Sequence, residues 1–341
     1  MIGNISFRTQ LIGSITDFAE SCSMGLLLRP SILAELIGAL SKYREEGIKL
    51  SPEVYLCNDI AQLLKLIPDS SLITIGRGNI SEEDIREILK KCAPLARDEW
   101  CIYIEGKNNN MEYGLFRGPM NPLAVPIETT LLEPGNSEVK VVKVHQIADD
   151  CVEIKNYRGD FHNIFFSHKK DSIPSPLKYL DDLVRSICEN ITITVKDSAM
   201  TFLNRVIRES LLASLGSLVV VCQKEKVPKY LTDGVILSQP IDFLRQIEDA
   251  LKVPSQLSIL KSETSLIKGM FSCDGIVVFN KDAKLLAYNC FISLSPKKVK
   301  PAEGGARRRA FDSLCNRLGQ GIYAAFIQSQ DGQTDFRKVK K

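Results

Sequence analysis

"DGIVVFNKDAKLLAYNCFISL", Asp274 to Leu294, decides how the second half of the chain folds. An apolar run, IVVF, is followed by NKDAK and then by a second, mostly apolar run. Asn and Asp between two such runs are turn chemistry, so the stretch predicts two strands joined by a tight turn. On its N-terminal side, "DSAMTFLNRVIRESLLASLG" has apolar residues at helical spacing, among them Phe202, Val206 and Leu212, and Gly216 as its end. "SLVVVCQ" then reads as an apolar strand, "PIDFLRQIEDAL" as a helix capped by Asp242, and "LSILKSETSLIKGM" as ending in another helix. On its C-terminal side, "RRRAFDSLCNRLGQG" predicts a helix with Ala310, Phe311, Leu314 and Leu318 on one face and Gly319 as its stop. "IYAAFIQSQDG" is a further strand. Strands alternating with helices place this half in the α/β class, a central sheet flanked by helices.

The first half reads as α+β. "PSILAELIGALSKYREEG" shows helical spacing at Leu33, Leu36, Ile37 and Leu40, with Gly47 as the expected stop. "NDIAQLLKLI" is a second short helix. "SLITI" runs as a strand into "GRGNISEEDIREILKKC", where Ser81 is the expected N-cap and Asp84 follows three residues on. "WCIYIEG", "MEYGLFRG", "VKVVKVHQI", "CVEIKNY" and "FHNIFFS" are predicted strands, separated by the turn residues of "KNNN" and "RGD". "KKDSIPSPLKYL", Lys169 to Leu180, has the prolines and charges of a linker. It divides the chain into expected domains of residues 1–170 and 171–341.

The 341 residues are 44% hydrophobic and 25% charged, ordinary for a globular protein. A net charge of +3 gives no reason to expect whole-surface attraction to nucleic acid or anionic membrane, so any anion site must be local. The basic end, "FRKVKK", is expected to be a solvated, frayed terminus. The 10 cysteines contain no C-x-x-C pair, and the N-terminal stretch lacks the charge and apolar core of a signal peptide. Reduced thiols, a cytoplasmic location and no membrane span are therefore expected. The three histidines, His145, His162 and His168, have no metal-ligand spacing to cysteine or carboxylate.

Three stretches could carry chemistry. In "GGARRRAFDSL", Gly304 to Leu314, three arginines stand where a helix begins, the end at which a cation is electrostatically misplaced. An anion bound there would reverse the sign of that argument. Gly305 before the helix lets an anion approach backbone N–H groups, and the forks of Arg307, Arg308 and Arg309 match phosphate oxygens. Upstream, Asp274-Gly275 sits at the mouth of a strand, where a carboxylate can bind a divalent cation or orient a hydroxyl. Together these parts fit a nucleoside triphosphate; taken singly, each also fits a turn or a solvated basic face. The second stretch is "ITIGRGNISEED", a glycine-rich turn whose G-x-G-x-x-G pattern fails at Ser81, so a tight turn with a helix cap is the stronger reading. The third is "EGKNNNMEYGLFRG", where Tyr113, Phe116 and Arg117 either line a ligand pocket or, more simply, belong to a β-hairpin.

From Thr201 to its end the chain resembles the diadenylate cyclase domain, the family that makes cyclic di-AMP from two ATP molecules. "SLLASLGSLVVV" is similar to the family's helix and G-A-L-hydrophobic strand, "MFSCDGIVVFNKDAKLLAYNCFISLS" to its D-G-A signature and strand pair, and "GARRRAFDSL" to its G-T-R-H-R-A signature. "IYAAFIQSQDG" matches its last strand. The resemblance implies that Asp274 binds Mg or Mn and helps activate the ribose 3′-hydroxyl, and that Gly275 admits the nucleotide to the backbone. It implies phosphate contacts from Gly305, Ala306, Arg307 and Arg309, a catalytic position at Arg308, and adenine contacts from Phe291, Ile292 and Leu294. A second metal-supporting position falls at Ser329. The chain departs from the pattern at Ile276 for alanine, Ala306 for threonine, Arg308 for histidine and Ser329 for the first glutamate of an S-E-E-like segment; Asp331 lies two residues on. One domain holds one ATP, so the reaction implies self-association face to face. Residues 1–170 would sense a small-molecule ligand and regulate output. The alternative implied by the departures is a catalytically inactive relative that senses ATP or a cyclic dinucleotide. A nucleic-acid-binding module is disfavoured, because the basic clusters lack interleaved aromatic residues.

Overall fold

The computed structural model describes residues 7–97, 99–107, 109–133, 139–148, 151–166, 175–214, 216–292, 305–329 and 332–340. The chain forms two compact units, one of Met1–Met120 and Val125–Asp171, the other of Asn121–Ala124 and Ser172–Lys341. The N-terminal part of the expected linker, Lys169 to Pro174, lies outside the described residues, as do His168, Leu294 and Asp331.

The first unit opens with helices α1 (Phe7–Cys22) and α2 (Pro30–Leu40). Pro30 sits in the first turn of α2, where its missing N–H costs nothing, and Leu33, Leu36, Ile37 and Leu40 are buried as their spacing predicts. The helix ends well before Gly47. Glu46 and Gly47 instead form the two-residue loop of a hairpin, β1 (Arg44–Glu45) and β2 (Ile48–Lys49), with successive positive φ of 49° and 81°. There follow β3 (Val54–Cys57), α3 (Ile60–Lys65), β4 (Ser71–Asn79), α4 (Glu82–Cys92), β5 (Cys101–Lys107), β6 (Asn110–Arg117), α5 (Ile127–Leu132), β7 (Val141–Ala148), β8 (Cys151–Asn156) and β9 (Phe161–Phe165). The sheet order is β4-β6-β5-β3-β7-β8-β9, mixed, with β3 and β5 parallel. Alternation splits its side chains. Val54, Leu56, Ile102 and Ile104 pack with α1, α2 and α4, whereas Tyr55, Cys57, Tyr103 and Val141 pack on the other face with α3 and α5. On that second face Lys143 is buried between Glu53 and Glu128, 2.7 Å from a carboxylate oxygen of each, with its ammonium over the Tyr55 ring. A buried ammonium is tolerated only when paired in this way.

The second unit contains α6 (Leu180–Ile187), α7 (Ile193–Ala213), β10 (Ser217–Cys222), β11 (Leu231–Thr232), β12 (Val235–Asp242), α8 (Phe243–Lys252), α9 (Leu257–Ser272), β13 (Ile276–Asn280), β14 (Lys284–Ile292), α10 (Ala306–Cys315), β15 (Ile322–Gln328) and β16 (Thr334–Lys338). Its sheet runs β11-β14-β13-β10-β15-β16, with β12 also on β14, and is mixed: β10 and β13 are parallel, their other neighbours antiparallel. Both faces are covered. Val219, Val221, Val277 and Phe279 meet the α6–α9 layer, and Leu218, Val220, Ile276 and Val278 meet Phe311 and Leu314 of α10. This is an α/β architecture with mixed sheets in each unit.

Three segments differ from what the sequence predicts. "FRKVKK" begins as a strand rather than a frayed end: Phe336 to Lys338 pair with β15, Phe336 is buried, and its ring stacks on Tyr179 at 6.4 Å. Pro240 and Ile241 belong to β12 rather than to α8, whose cap Asp242 accepts from the Arg245 amide at 3.0 Å as expected. The helix before Gly319 stops at Cys315, and Gly319 lies in the following turn at φ 85°.

Candidate functional site at one end of the second sheet

Register brings the predicted residues together before any side chain is considered. Leu218 of β10 pairs with Ile276 on one side and Ile327 on the other. Asp274 and Ser329, each two residues beyond, therefore leave the sheet at the same end, two strand spacings apart, about 10 Å. Ile276 also pairs with Cys290, so Phe291 and Ile292 run past that end alongside Gly275 and Asp274.

Gly275 is required there. Its φ is +100°, and a Cβ would lie 2.8 Å from the Cys290 carbonyl oxygen and 2.9 Å from the Asn289 carbonyl carbon. Both are backbone atoms of a paired strand and cannot step aside. The mouth therefore owes its glycine to the close approach of β14, and beside it the Asp274 carboxylate is 75% exposed. Phe291 is exposed and Ile292 half-buried at the same edge.

The first turn of α10 stands over this end. Gly305 is its N-cap and supplies no side-chain bond to the first amides, so the N-terminal N–H groups keep their partial positive charge available to an anion. The arginines divide between two directions. Arg307 reaches Asp274, with Nη2 3.7 Å from Oδ1. Arg309 is exposed. Arg308 turns the other way: its Nε lies 3.3 Å from Asp312 and its Nη1 3.0 Å from Asp335 of β16, with the guanidinium over the Phe311 ring. Asp335 is only 14% exposed and also holds Arg337 at 3.2 Å. The misplaced cations are thus compensated by carboxylates, Arg307 by an exposed one that a phosphate can displace and Arg308 by a sheltered one.

Ser329 stays in the turn that leaves β15. Its hydroxyl accepts from the Gln333 amide at 3.0 Å, and its own amide bonds the Gln333 carbonyl at 2.8 Å. Asp274, Gly275, Arg307, Phe291 and Ile292 are therefore gathered at one place, with Gly305, Ala306 and Arg309 on the helix end above. Arg308 and Ser329 share the sheet end but spend their polar atoms on neighbours. The residue that sequence reasoning missed is Asp335. Asp312 is four residues from Arg308 and legible as a helical pair, whereas Asp335 meets Arg308 only through the β15–β16 register.

Among the described residues no cluster of three or more His, Cys, Asp or Glu side chains could hold a metal by itself. One exposed carboxylate fits Mg or Mn delivered with a triphosphate, since such ions are commonly held by one or two carboxylates plus phosphate oxygens.

The other two stretches do not form sites. Gly76 and Gly78 lie inside β4, paired with Tyr113 and Met111, and a Cβ at Gly76 would meet the Tyr113 hydroxyl at 2.7 Å. There is no glycine turn before α4, although Ser81 caps it as expected, accepting from the Asp84 amide at 3.1 Å. Tyr113 and Phe116 point into opposite faces of the sheet, and Arg117 lies over Trp100 at 4.9 Å, so they cannot line one pocket. His145 is buried and His162 packs edge-on against Phe18. No described helix is long and apolar enough to cross a membrane.

Comparison of the sequence with models of known protein families finds no match, and comparison with curated proteins finds none.

Proposed function

We propose that the second unit binds ATP at the N-terminus of α10 and is a diadenylate cyclase, joining two ATP molecules into cyclic di-AMP with release of two pyrophosphates. The observation that carries the reading is the convergence of Asp274, Gly275 and Arg307 at one sheet end, with the Asp274–Arg307 pair at 3.7 Å. A triphosphate arriving at the helix end replaces the carboxylate as partner of Arg307 and adds contacts from Arg309 and the first-turn amides. That exchange frees Asp274 to orient the ribose 3′-hydroxyl. Gly275 lets β14 close up beside Asp274, and Phe291, exposed on β14, offers a ring to the adenine. The 3′-oxygen attacks the α-phosphorus of a second ATP while its proton passes through the Asp274 carboxylate to water; the O3′–P bond forms as the bond from the α-phosphorus to the bridging oxygen breaks and pyrophosphate leaves, and a second, symmetric step closes the ring. Mg or Mn would be held by Asp274 together with phosphate oxygens and would supply charge neutralisation. The chain's own part is alignment and fixed positive charge. Because each unit presents one site, the reaction takes place between two copies.

Ser329 favours a second reading. Its hydroxyl is spent in the turn with Gln333, where the family resemblance leads one to expect a glutamate. A nucleotide sensor of the same build would bind ATP or a cyclic dinucleotide and release no product.

The test is incubation with ATP and Mg²⁺ or Mn²⁺, with cyclic di-AMP identified by mass. The cyclase reading expects product that disappears in Asp274→Asn. Tight ATP binding without product, at every metal and protein concentration tried, would overturn it in favour of the sensor.

A further inference from the structure

The end of the second sheet opposite Asp274 and Ser329 is rich in lysine. Cys222 of β10 pairs there with Asn280 of β13 and Ile322 of β15, and the Val339 amide bonds the Tyr323 carbonyl at 2.9 Å. Four segments therefore emerge side by side: the β13–β14 turn, the loop after β10, the turn before β15 and the end of β16. From β14 to β16 they span about 19 Å. The loop carries Lys224, Lys226 and Lys229, and the β13–β14 turn Lys281 and Lys284. Arg317 precedes β15, and Lys338 and Lys340 end β16. Against these eight cations stand four carboxylates, Glu225 and Asp282 within the segments and Glu189 and Asp242 beside them. The excess at this one end is larger than the +3 of the whole chain.

The carboxylates do not reach most of the lysines. Glu225 and Asp242 both hold Lys284, at 2.8 and 3.2 Å, and Asp282 accepts from the amides of Asn190 and Asn280. Lys224, Lys226, Lys229, Lys338 and Lys340 are exposed and make no ion pair among the described residues. Ammonium groups gathered in this way repel one another, and an anionic surface removes that cost. Apolar groups adjoin them. β12 exposes Val235 at 44% and Ile236 at 62%. Ile236, Leu237 and Pro240 share a shallow recess with Lys226 and Val227, so the lysine loop and the apolar strand form one surface. The headgroup boundary of a bilayer accepts that combination, with ammonium groups among lipid phosphates and aliphatic side chains against the acyl region. Nucleic acid fits less well. Arg317 lies over the Tyr230 ring at 4.3 Å, Lys281 lies over Tyr323 at 4.6 Å, and Tyr323 is buried. Neither ring is open for a base to stack on.

We infer that this lysine-rich end of the second unit docks on the surface of a bilayer containing anionic phospholipid, with Lys224, Lys226 and Lys229 on the headgroups and Ile236 entering the boundary beneath them. Such a peripheral contact needs no membrane-spanning helix, and it does not depend on nucleotide chemistry at the other end of the sheet.

Co-sedimentation of the full chain with phosphatidylcholine vesicles, with and without phosphatidylserine, tests it. Binding should require phosphatidylserine and weaken as salt is raised. The triple variant Lys224→Gln/Lys226→Gln/Lys229→Gln should weaken it about a hundredfold, at about fivefold per lysine. Ile236→Ser should weaken vesicle binding about threefold or more and leave any binding of labelled duplex or single-stranded DNA unchanged. All four positions are exposed, so the circular dichroism spectra should match the wild type. No binding to phosphatidylserine vesicles would overturn the inference, as would binding that the triple variant leaves intact. DNA held more tightly than the vesicles, with Ile236→Ser affecting neither, would overturn it in favour of a nucleic-acid surface.

Discussion

Gly275→Ala adds one methyl group at the mouth of the candidate site, and the structure sets its cost. The position has φ +100°, where an L-residue is strained by about 1–3 kcal/mol. The new Cβ would lie 2.8, 2.9 and 3.1 Å from Cys290 O, Asn289 C and Asn289 Cα. None of these is the tip of a flexible side chain, so relief requires β14 to move away from β13, an overpacking of about 1–3 kcal/mol. The sum, about 2–6 kcal/mol, is a large part of the stability of one domain and, at about 2–4 °C per kcal/mol for a unit of this size, corresponds to a fall in Tm of about 4–24 °C. Thermal unfolding followed by far-ultraviolet circular dichroism measures it. Gly269→Ala is the control, because that glycine is helical with nothing within 4 Å of an added Cβ, and alanine there should stabilise by up to about 1 kcal/mol. A Gly275→Ala protein that melts with the wild type, while Gly269→Ala behaves as stated, would refute the claim that β14 backbone closes this position to any side chain.

Arg308→Ala removes a pair whose arginine is 42% exposed, so the expected loss of stability is below about 1 kcal/mol, read from the denaturant midpoint. ATP affinity should stay within twofold, because Arg308 faces Asp335 rather than the mouth. Burial raises the Glu263 carboxyl above its ordinary value, with the Gln246 bond at 2.7 Å acting to lower it. The folded protein therefore holds that proton more tightly than the unfolded chain, and stability falls as pH rises from the ordinary carboxylate value through the raised one. Glu263→Gln should match the wild type in acid and be more stable at pH 7, in denaturant melts at both pH values. Lys284 is raised chiefly by its 2.8 Å bond to Glu225, with Asp242 also contributing. Its contribution is complete below the ordinary lysine value and is lost as pH rises through the raised one, so Lys284→Met should flatten the alkaline limb of the stability profile.

Where local chemistry decides an element, the sequence was sufficient. Ser81 and Asp242 cap their helices through the amides expected, and NKDAK turns β13 into β14. What was missed depends on partners far along the chain. β12 contains Ser238, Gln239 and Pro240, which break strand alternation, and it is a strand because β14 holds its two ends across an irregular register between Ile236 and Ile241. β4 tolerates glycine because Tyr113 and Asp84 occupy the space a side chain would need. Phe336 to Lys338 of the basic end form a strand because β15 pairs with them. The site shows the same division. Asp274-Gly275 and the arginine triplet could be found as short patterns, and their meeting follows from alternation of strands and helices. That Arg307 and Arg308 point apart could not be read, since it turns on one aspartate in the last strand.

The central claim is that Arg307 and Arg309, at the helix end above Asp274, form the triphosphate clamp. Calorimetric titration of ATP into wild type and into the Arg307→Ala/Arg309→Ala double variant tests it most directly. Charge-assisted bonds of about 1.5–3 kcal/mol each predict at least a hundredfold loss of affinity in the double variant, with the fold retained. ATP binding equal to wild type in that variant would contradict the account.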